Sequence, residues 1–346
     1  MLVAIGGSAC FDEDTAGEGT SEAAVTSCGG APDDVPDDLA CTGLYDDFSE
    51  KRIAANVRAF APAVALWSDG FEKDRFIQLP EGETIDASNA DDWKFPVGTK
   101  AWKEFRAGTR KIETRLLWKV RDDRWLSATY VWSPDGTTAQ RHAGGIIDVD
   151  GKPYEVPKTT QCNECHKGRK DRLLGFETIS LGQRGASGLS LETLIAEERI
   201  APAPRTPIDL PPALAYLHVN CGVSCHNASS SATAYSTGLR FRVSVAELGR
   251  PLASWEVLKT SLDVPARTPE WADEPRIVPG DAESSLVVRL MKQRGKDVGQ
   301  MPPLGTSKVD DAAVETVSSF IASLSPKGSG VVEGRPKKKD RIATAP

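Results

Sequence analysis

Histidine and methionine are scarce in this 346-residue chain, with four His (142, 166, 218 and 226) and three Met (1, 291 and 301). Any chemistry that needs an imidazole or a thioether therefore has few candidates. Lys and Arg are missing altogether from residues 1–50, where Asp and Glu recur among Gly, Ser, Thr and Pro. Such a stretch cannot bury enough apolar surface to offset its ordering entropy, so residues 1–45 read as an acidic flexible tether. No apolar run of about eighteen residues occurs, so no segment reads as a spanning helix. A net charge of −7 argues against a nucleic-acid partner.

The seven cysteines carry the signal. Cys162 and Cys165 lie three apart with His166 directly after, the attachment signal for a c-type haem. One helical turn puts both thiols on one side, where they can add to two vinyl groups, and the adjacent imidazole can reach the iron. A zinc half-site or a redox dithiol also uses C-x-x-C, but neither requires the trailing His. A second copy, Cys221-Gly-Val-Ser-Cys225-His226, carries one extra residue. On a regular helix that residue rotates the second thiol by ~100°, so the segment has to bulge, and Gly222 makes a bulge cheap. The alternatives are a Cys221–Cys225 disulfide or a single thioether.

Met301 precedes Pro302 and Pro303, in a loop stiffened by residues that fix φ and donate no hydrogen bond. Val314, Val317, Phe320, Ile321 and Leu324 then follow at helical spacing. Attachment motif, long intervening segment, Met in a Pro-rich loop and terminal helix resemble in their order a small class I cytochrome c domain, a likeness that implies His226 as proximal and Met301 as distal ligand. The alternative is that Met301 fills a hydrophobic gap. Met291, between Leu290 and Lys292, reads as core. Opposite His166 the candidates are His142 and His218, or an open face.

Residues 60–160 are punctuated as strands. Ile112, Thr114, Leu116, Trp118 and Val120 alternate with charged residues, as do Leu126, Ala128, Tyr130 and Trp132 with their neighbours. Asp122-Asp123 between them predicts an antiparallel hairpin, with further strands at 71–79 and 101–106 and turns at Asp135-Gly136 and Asp150-Gly151. Six of the eight Trp (67, 93, 102, 118, 125 and 132) fall here and read as core. The fold expectation is α+β and multidomain. It comprises the tether, an antiparallel β-rich haem c domain over 46–200, an all-α class I cytochrome c-like domain over 201–325, and a basic tail over 326–346. Lys337, Lys338 and Lys339 of that tail read as a solvated run.

Several strings together resemble a known family: Leu66-Trp-Ser-Asp-Gly70, Phe95-Pro-Val-Gly-Thr99, Trp102-Lys-Glu-Phe105, Glu113-Thr-Arg-Leu-Leu117, Tyr130-Val-Trp132, Leu174-Gly-Phe176, Pro279-Gly-Asp281 and the Met301 loop. The chain is similar over about residues 40–325 to bacterial secreted or lipid-anchored di-haem c-type proteins, with a β-rich front half and a cytochrome c back half. The resemblance implies two covalent haems c and an extracytoplasmic location, the periplasm or cell envelope, without implying a reaction. That family commonly has C-x-x-C-H at both sites, so thioethers at both Cys221 and Cys225 do not follow from it. A looser likeness of the β half to β-sheet cytochromes c′ implies a first haem with an open face. Leu2–Cys10 resembles the end of a lipoprotein signal without its basic start, which makes Cys10 a candidate lipid anchor. In such a compartment a Cys28–Cys41 disulfide is chemically permitted. Three functions fit: an electron carrier serving a redox partner protein, which needs only the residues seen; a haem oxidase or peroxidase with an open first haem fed by the second; and a gas-binding sensor.

Overall fold

A computed structural model describes Cys28, residues 34–295 and residues 299–325. Cys10 and the basic run at 337–339 lie outside the described residues. Among the described residues thirteen strands are present. Two short antiparallel ones, β1 (Tyr45–Asp47) and β2 (Arg52–Ile53), precede β3 (Arg58–Ala61), β4 (Glu72–Gln78) and β5 (Ile85–Asp86). Then come β6 (Lys100–Ala107), β7 (Arg110–Arg121), β8 (Arg124–Trp132), β9 (Ala139–Arg141), β10 (Gly145–Val149) and β11 (Lys152–Val156). After helix α1 (Thr159–His166) and α2 (Thr178–Gly182) follow β12 (Ser187–Gly188), α3 (Leu191–Ala196) and β13 (Ile200–Ala201). One antiparallel sheet of seven strands, in the order β12-β3-β4-β6-β7-β8-β9, organises the front half.

The period of two decides what each face of this sheet does. Trp102, Leu116, Ala128 and Tyr130 point to one face, where Leu39, Leu44 and Tyr45 cover them. Ile77, Ala101, Leu117 and Trp125 point to the other, against Trp93, Phe95 and Phe176. The β7–β8 hairpin turns at Asp122-Asp123, as the alternation predicts. In the β10–β11 hairpin both turn residues have positive φ, Asp150 at 56° and Gly151 at 75°, the pattern of a tight two-residue turn. Residues 34–45, expected within the tether, instead pack: Leu39 and Leu44 are fully buried, and Cys28 is disulfide-bonded to Cys41. Five apolar side chains (Val35, Leu39, Leu44, Tyr45 and Val57) from this edge of the β region outweigh the acidic composition around them.

The back half overturns the fold expectation. Residues 201–325 are not an all-α cytochrome c-like domain, and helix makes up only 24% of the structure. Among the described residues they carry α4 (Pro212–Leu217), α5 (Glu256–Lys259), α6 (Leu286–Lys292) and the longer α7 (Asp311–Ser323), with single 3-10 and π turns between them. Isolated bridges such as Leu262 with Ile277 and Pro265 with Pro275 join the loops between them. The reason is local. Beyond residues 212–222 and 311–323 no described stretch sustains more than two helical turns, and Pro251, Pro265, Pro269, Pro275, Pro279, Pro302 and Pro303 remove donors and fix φ across much of the rest. Even so a core forms, with Leu214, Leu217, Phe241, Val288, Val317 and Ile321 buried together. The two halves are also stitched, since β13 pairs in parallel with β5.

Candidate functional site

The first motif ends the β region. Helix α1 leaves the β10–β11 hairpin, starts where the Gln161 side chain accepts from Lys158 N–H at 2.7 Å, and packs on β8. It places Cys162, Asn163 and His166 over Leu117, Trp125 and Ser127 of the sheet, around a cleft of about 630 Å³ that is partly open to solvent. His166 is held in one tautomer. Its Nδ1 lies 2.6 Å from the Arg172 carbonyl oxygen, so Nδ1–H donates and Nε2 keeps a free lone pair. Burial pushes its pKa down to about 4, and the charges of Lys103, Arg115 and Arg172 act the same way. The ring is therefore neutral and able to ligate iron, in the orientation that a carbonyl–imidazole pair gives a metal-binding His.

That carbonyl is aimed by strain and by a buried anchor. Arg172 has φ of 59°, a left-handed conformation that costs a non-glycine residue about 1–3 kcal/mol and recurs at functional sites. Its neighbour Asp171 accepts from Lys119 Nζ at 2.7 and 2.9 Å, from Trp125 Nε1 at 2.7 Å and from Phe95 N–H at 2.5 Å. Lys119 and Phe95 are buried. The Phe95–Thr99 string and strand β7 thus fix the loop that orients His166.

The second motif solves its extra residue with a wider turn. Residues His218–Gly222 form a π-helical turn, with Val223 N–H donating to His218 O at 2.8 Å and His226 N–H to Cys221 O at 2.8 Å. Single π turns inside helices recur at functional sites. Cys221 O also accepts from Cys225 N–H at 3.3 Å, so the widened turn runs on through the motif. Gly222 is needed for a reason other than a cheap bulge. A Cβ there would lie 2.3 Å from Arg242 N, so the turn packs backbone to backbone on residues 241–242.

Cys221, Cys225, His226 and Met301 all line one cleft of about 990 Å³, solvent-open part included, at the upper end of the ~300–1,000 Å³ typical of cofactor and ligand sites. Tyr216, Trp271 and three arginines, 267, 276 and 294, line it too. Burial pushes the thiols up, to about 12 for Cys221 and about 11 for Cys225, and pushes His226 down to about 4. His226 Nδ1 is buried without a well-formed hydrogen bond, the Leu239 backbone being its nearest polar neighbour. A neutral buried imidazole, two thiols and a thioether around one cavity fit a covalently held haem. Met291 lines the same cleft but is 5% exposed and belongs to the core, as expected.

No protein-family model, curated protein or solved structure matches this chain. Among the described residues no three His, Cys, Asp or Glu side chains gather as a metal-binding group, and no helix is long and apolar enough to cross a membrane.

The two remaining histidines are engaged elsewhere. His218 is buried, with Nε2 3.3 Å from Glu177 Oε1 and Nδ1 accepting from Val243 N–H at 3.0 Å. His142 Nδ1 accepts from Gly144 N–H at 3.0 Å, which leaves its proton on Nε2. Neither lines the cleft of the first motif.

What the sequence did not announce is that the motifs touch. A Cβ on Gly168 would sit 2.0 Å from the Ser224 carbonyl oxygen, so the segments after His166 and before Cys225 run in direct backbone contact. Ser231 Oγ donates to Lys167 O at 2.6 Å and Thr233 Oγ1 to Glu164 O at 2.9 Å. Cys165 is close enough to help raise the pKa of Cys225. The Leu66–Gly70 string supports both the second motif and the Met loop. Trp67 N–H donates to Asn220 Oδ1 at 2.7 Å and Trp67 Nε1 to Lys308 O at 3.1 Å. Asp69 accepts from Ser307 N–H and Lys308 N–H, at 2.9 Å each, and from Ser307 Oγ at 2.7 Å. The only sequence hints were Gly168 just past the first His and a Trp-Ser-Asp-Gly turn far from any cysteine.

Proposed function

We propose that this chain is an extracytoplasmic di-haem c-type protein that carries electrons between two neighbouring haems and a redox partner protein. The observation that carries this reading is the Gly168–Ser224 contact, which brings the two attachment motifs together. Haem iron, when bound, supplies one-electron exchange between its ferrous and ferric states. The chain's part is attachment, orientation and exclusion of water. Cys162 and Cys165 would hold one haem and Cys221 and Cys225 the other. His166 and His226 offer neutral nitrogens on the near faces, and Met301 offers a sulfur at the second site, which favours the reduced iron. The Cys28–Cys41 bond suits an oxidising compartment such as the periplasm or cell envelope, and Cys10 remains the candidate lipid anchor there.

Protein matured with haem-attachment machinery is expected to show two haem additions by intact mass. None or one overturns the di-haem reading. A second reading, a haem that binds gases or performs oxidative chemistry at an open face of the first site, is favoured by the engagement of both His142 and His218. Rapid carbon monoxide binding to one of the two reduced haems supports it. Complete insensitivity to carbon monoxide leaves the pure carrier.

A further inference from the structure

The sheet face that packs on α1 carries an unusual row. Arg75, Lys103 and Arg115 are direct cross-strand partners on β4, β6 and β7, and Lys73 lies two residues from Arg75 on the same face. Adjacent strands are about 4.7–4.9 Å apart, and like charges placed directly opposite destabilise a sheet. Compensation on this face is thin. Glu113 pairs with Arg115, and the Tyr154 hydroxyl donates to it at 2.7 Å. Asp74 and Glu104 point to the opposite face, where they pair with Arg106 and Lys111. Glu164 of α1 pairs with Lys167 at 3.0 Å, and Asp69 caps the Met loop. Among the described residues Lys73 hydrogen-bonds only to the Leu66 carbonyl and Arg75 only to the Lys73 carbonyl at 3.4 Å, with the Asp69 and Asp74 charges acting on them from further off. Lys103 hydrogen-bonds to nothing among the described residues, and its ammonium stands 5.8 Å from the Phe105 ring centre.

Burial, reinforced by the neighbouring cations, pushes Lys73 down to about 8 and Lys103 well below the ordinary lysine range. The same charges bear on Cys165 and His166, so the row lies close to the first motif. Three aligned basic groups and a fourth beside them, of which only Arg115 has a carboxylate partner on this face, are relieved either by loss of a lysine proton or by an anion that completes the set. We propose that Lys73, Arg75, Lys103 and Arg115 form an anion-binding row beside the first motif, which takes a carboxylate or small oxyanion. Arginine and lysine side chains on a rigid sheet bind such groups through charge-assisted hydrogen bonds. Two sources share this chemistry: a free anion, and a propionate of the first haem. Only the second source rests on the haem reading.

The test uses the mature protein, with haem content read by intact mass on the same sample. Melting is followed in sodium sulfate against sodium chloride at matched ionic strength, for wild type, Lys103→Met, Arg75→Met and the milder Lys73→Gln. For a free anion, wild type shows a saturable rise of about 2–4 °C that the variants lose, with apparent sulfate affinity down about tenfold or more. For a propionate, sulfate has no saturable effect, the variants keep both haem additions, and the midpoint potential of the first haem falls in each. The proposal is overturned if every variant melts at or above wild type and the potentials do not move. That result is the one expected when removal of a cation merely relieves repulsion.

Discussion

Gly168→Ala isolates the contact on which the electron-transfer reading depends. Gly168 does not have a positive φ, so in the absence of close neighbours Ala would stabilise the chain by about 0.4–1 kcal/mol through the unfolded state. The neighbours reverse that sign. The new Cβ would stand 2.0 Å from Ser224 O and 3.0 Å from Ser224 C, the first of these more than an ångström inside the 3.4 Å where ordinary contact begins. Both clashing atoms are backbone, so no side chain can rotate away. Ser224 is itself pinned, because Asn227 Nδ2 donates to Gly222 O at 3.0 Å and Val223 O at 3.2 Å. Overpacking of this kind costs about 1–3 kcal/mol, and at ~2.1 cal/mol/K of unfolding entropy per residue each kcal/mol lowers Tm by about 1–2 °C in a chain of this size. The cost falls on the seam between the motifs, so the electrochemical interaction of the two haems should weaken along with stability. The assay is a thermal melt together with a redox titration that resolves two midpoints. A variant that melts at or above wild type with the same separation of midpoints would falsify the claim that the motifs are packed at this seam.

Three further outcomes follow from the same geometry. Asp69→Asn keeps the size of the side chain but weakens its bonds to Ser307 and Lys308, each worth about 1.5–3 kcal/mol when charged; the second midpoint potential should fall part of the way towards that of Met301→Ala, and an unchanged potential means the Met loop does not depend on Asp69. Burial alone would raise the Glu177 carboxyl, but His218, Arg169 and the Ser180 amide together hold it well below the usual carboxylate range. Its folded pKa lies under the unfolded value of 4.5, so the unfolded chain binds more protons as pH falls below 4.5 and the Glu177 contribution to stability is lost there. Glu177→Gln should lack that acid-dependent segment and melt lower at pH 7, and a parallel pH profile in both proteins refutes it. In the folded, haem-free chain, Cys221 and Cys225 at about 12 and 11 should resist alkylation at pH 8 until denaturant is added. Fast alkylation of Cys221 in native buffer would show the cleft to be open.

Local patterns in the sequence resolved well where the physics is local. Strict alternation placed β7 and β8, because a period of two is imposed by the chain itself, and the helical period over 314–324 placed α7. The second cysteine motif and Met301 meet in one cleft, as their order in the sequence suggests, whereas of the first motif only Cys162 and His166 line the other cleft and Cys165 turns towards Lys103 and Arg115. The all-α back half failed because one good helix was extended over proline-rich neighbours. Lys119 and Asp171 looked like ordinary charges. Their role as a buried pair appears only when residues 52 apart in sequence meet at 2.7 Å. Trp125 and Trp271, expected to be simple core or left without comment, line the two clefts. The tether shortened for a similar reason: composition averages over a window, while Leu39 and Leu44 act one at a time.

The same long-range contacts make the division at residue 200 a poor place to cut. Asp91 accepts from Val245 N–H at 2.7 Å and Ser244 Oγ at 2.6 Å, and Asp92 stands 3.0 Å from Arg242 and 3.5 Å from Arg169. Ile200 and Ala201 complete a parallel pair with Ile85 and Asp86. Excision of residues 201–325 would leave Arg242 without Asp92, Asn220 without the Trp67 amide and the Met loop without Asp69. Arg242 and Asp92 are half-buried, so loss of this partner costs less than the ~3–5 kcal/mol of a fully buried pair, but the three losses together are a sizeable share of the ~5–15 kcal/mol by which a domain is stable. The excised segment is therefore expected to melt without cooperativity and to attach little haem, whereas residues 34–325 should retain both attachments. A cooperative melt of 201–325 with one full haem equivalent would show that the back half stands alone. The front half would then be an addition to a self-sufficient unit, and the contacts across the seam would serve only to align the two sites.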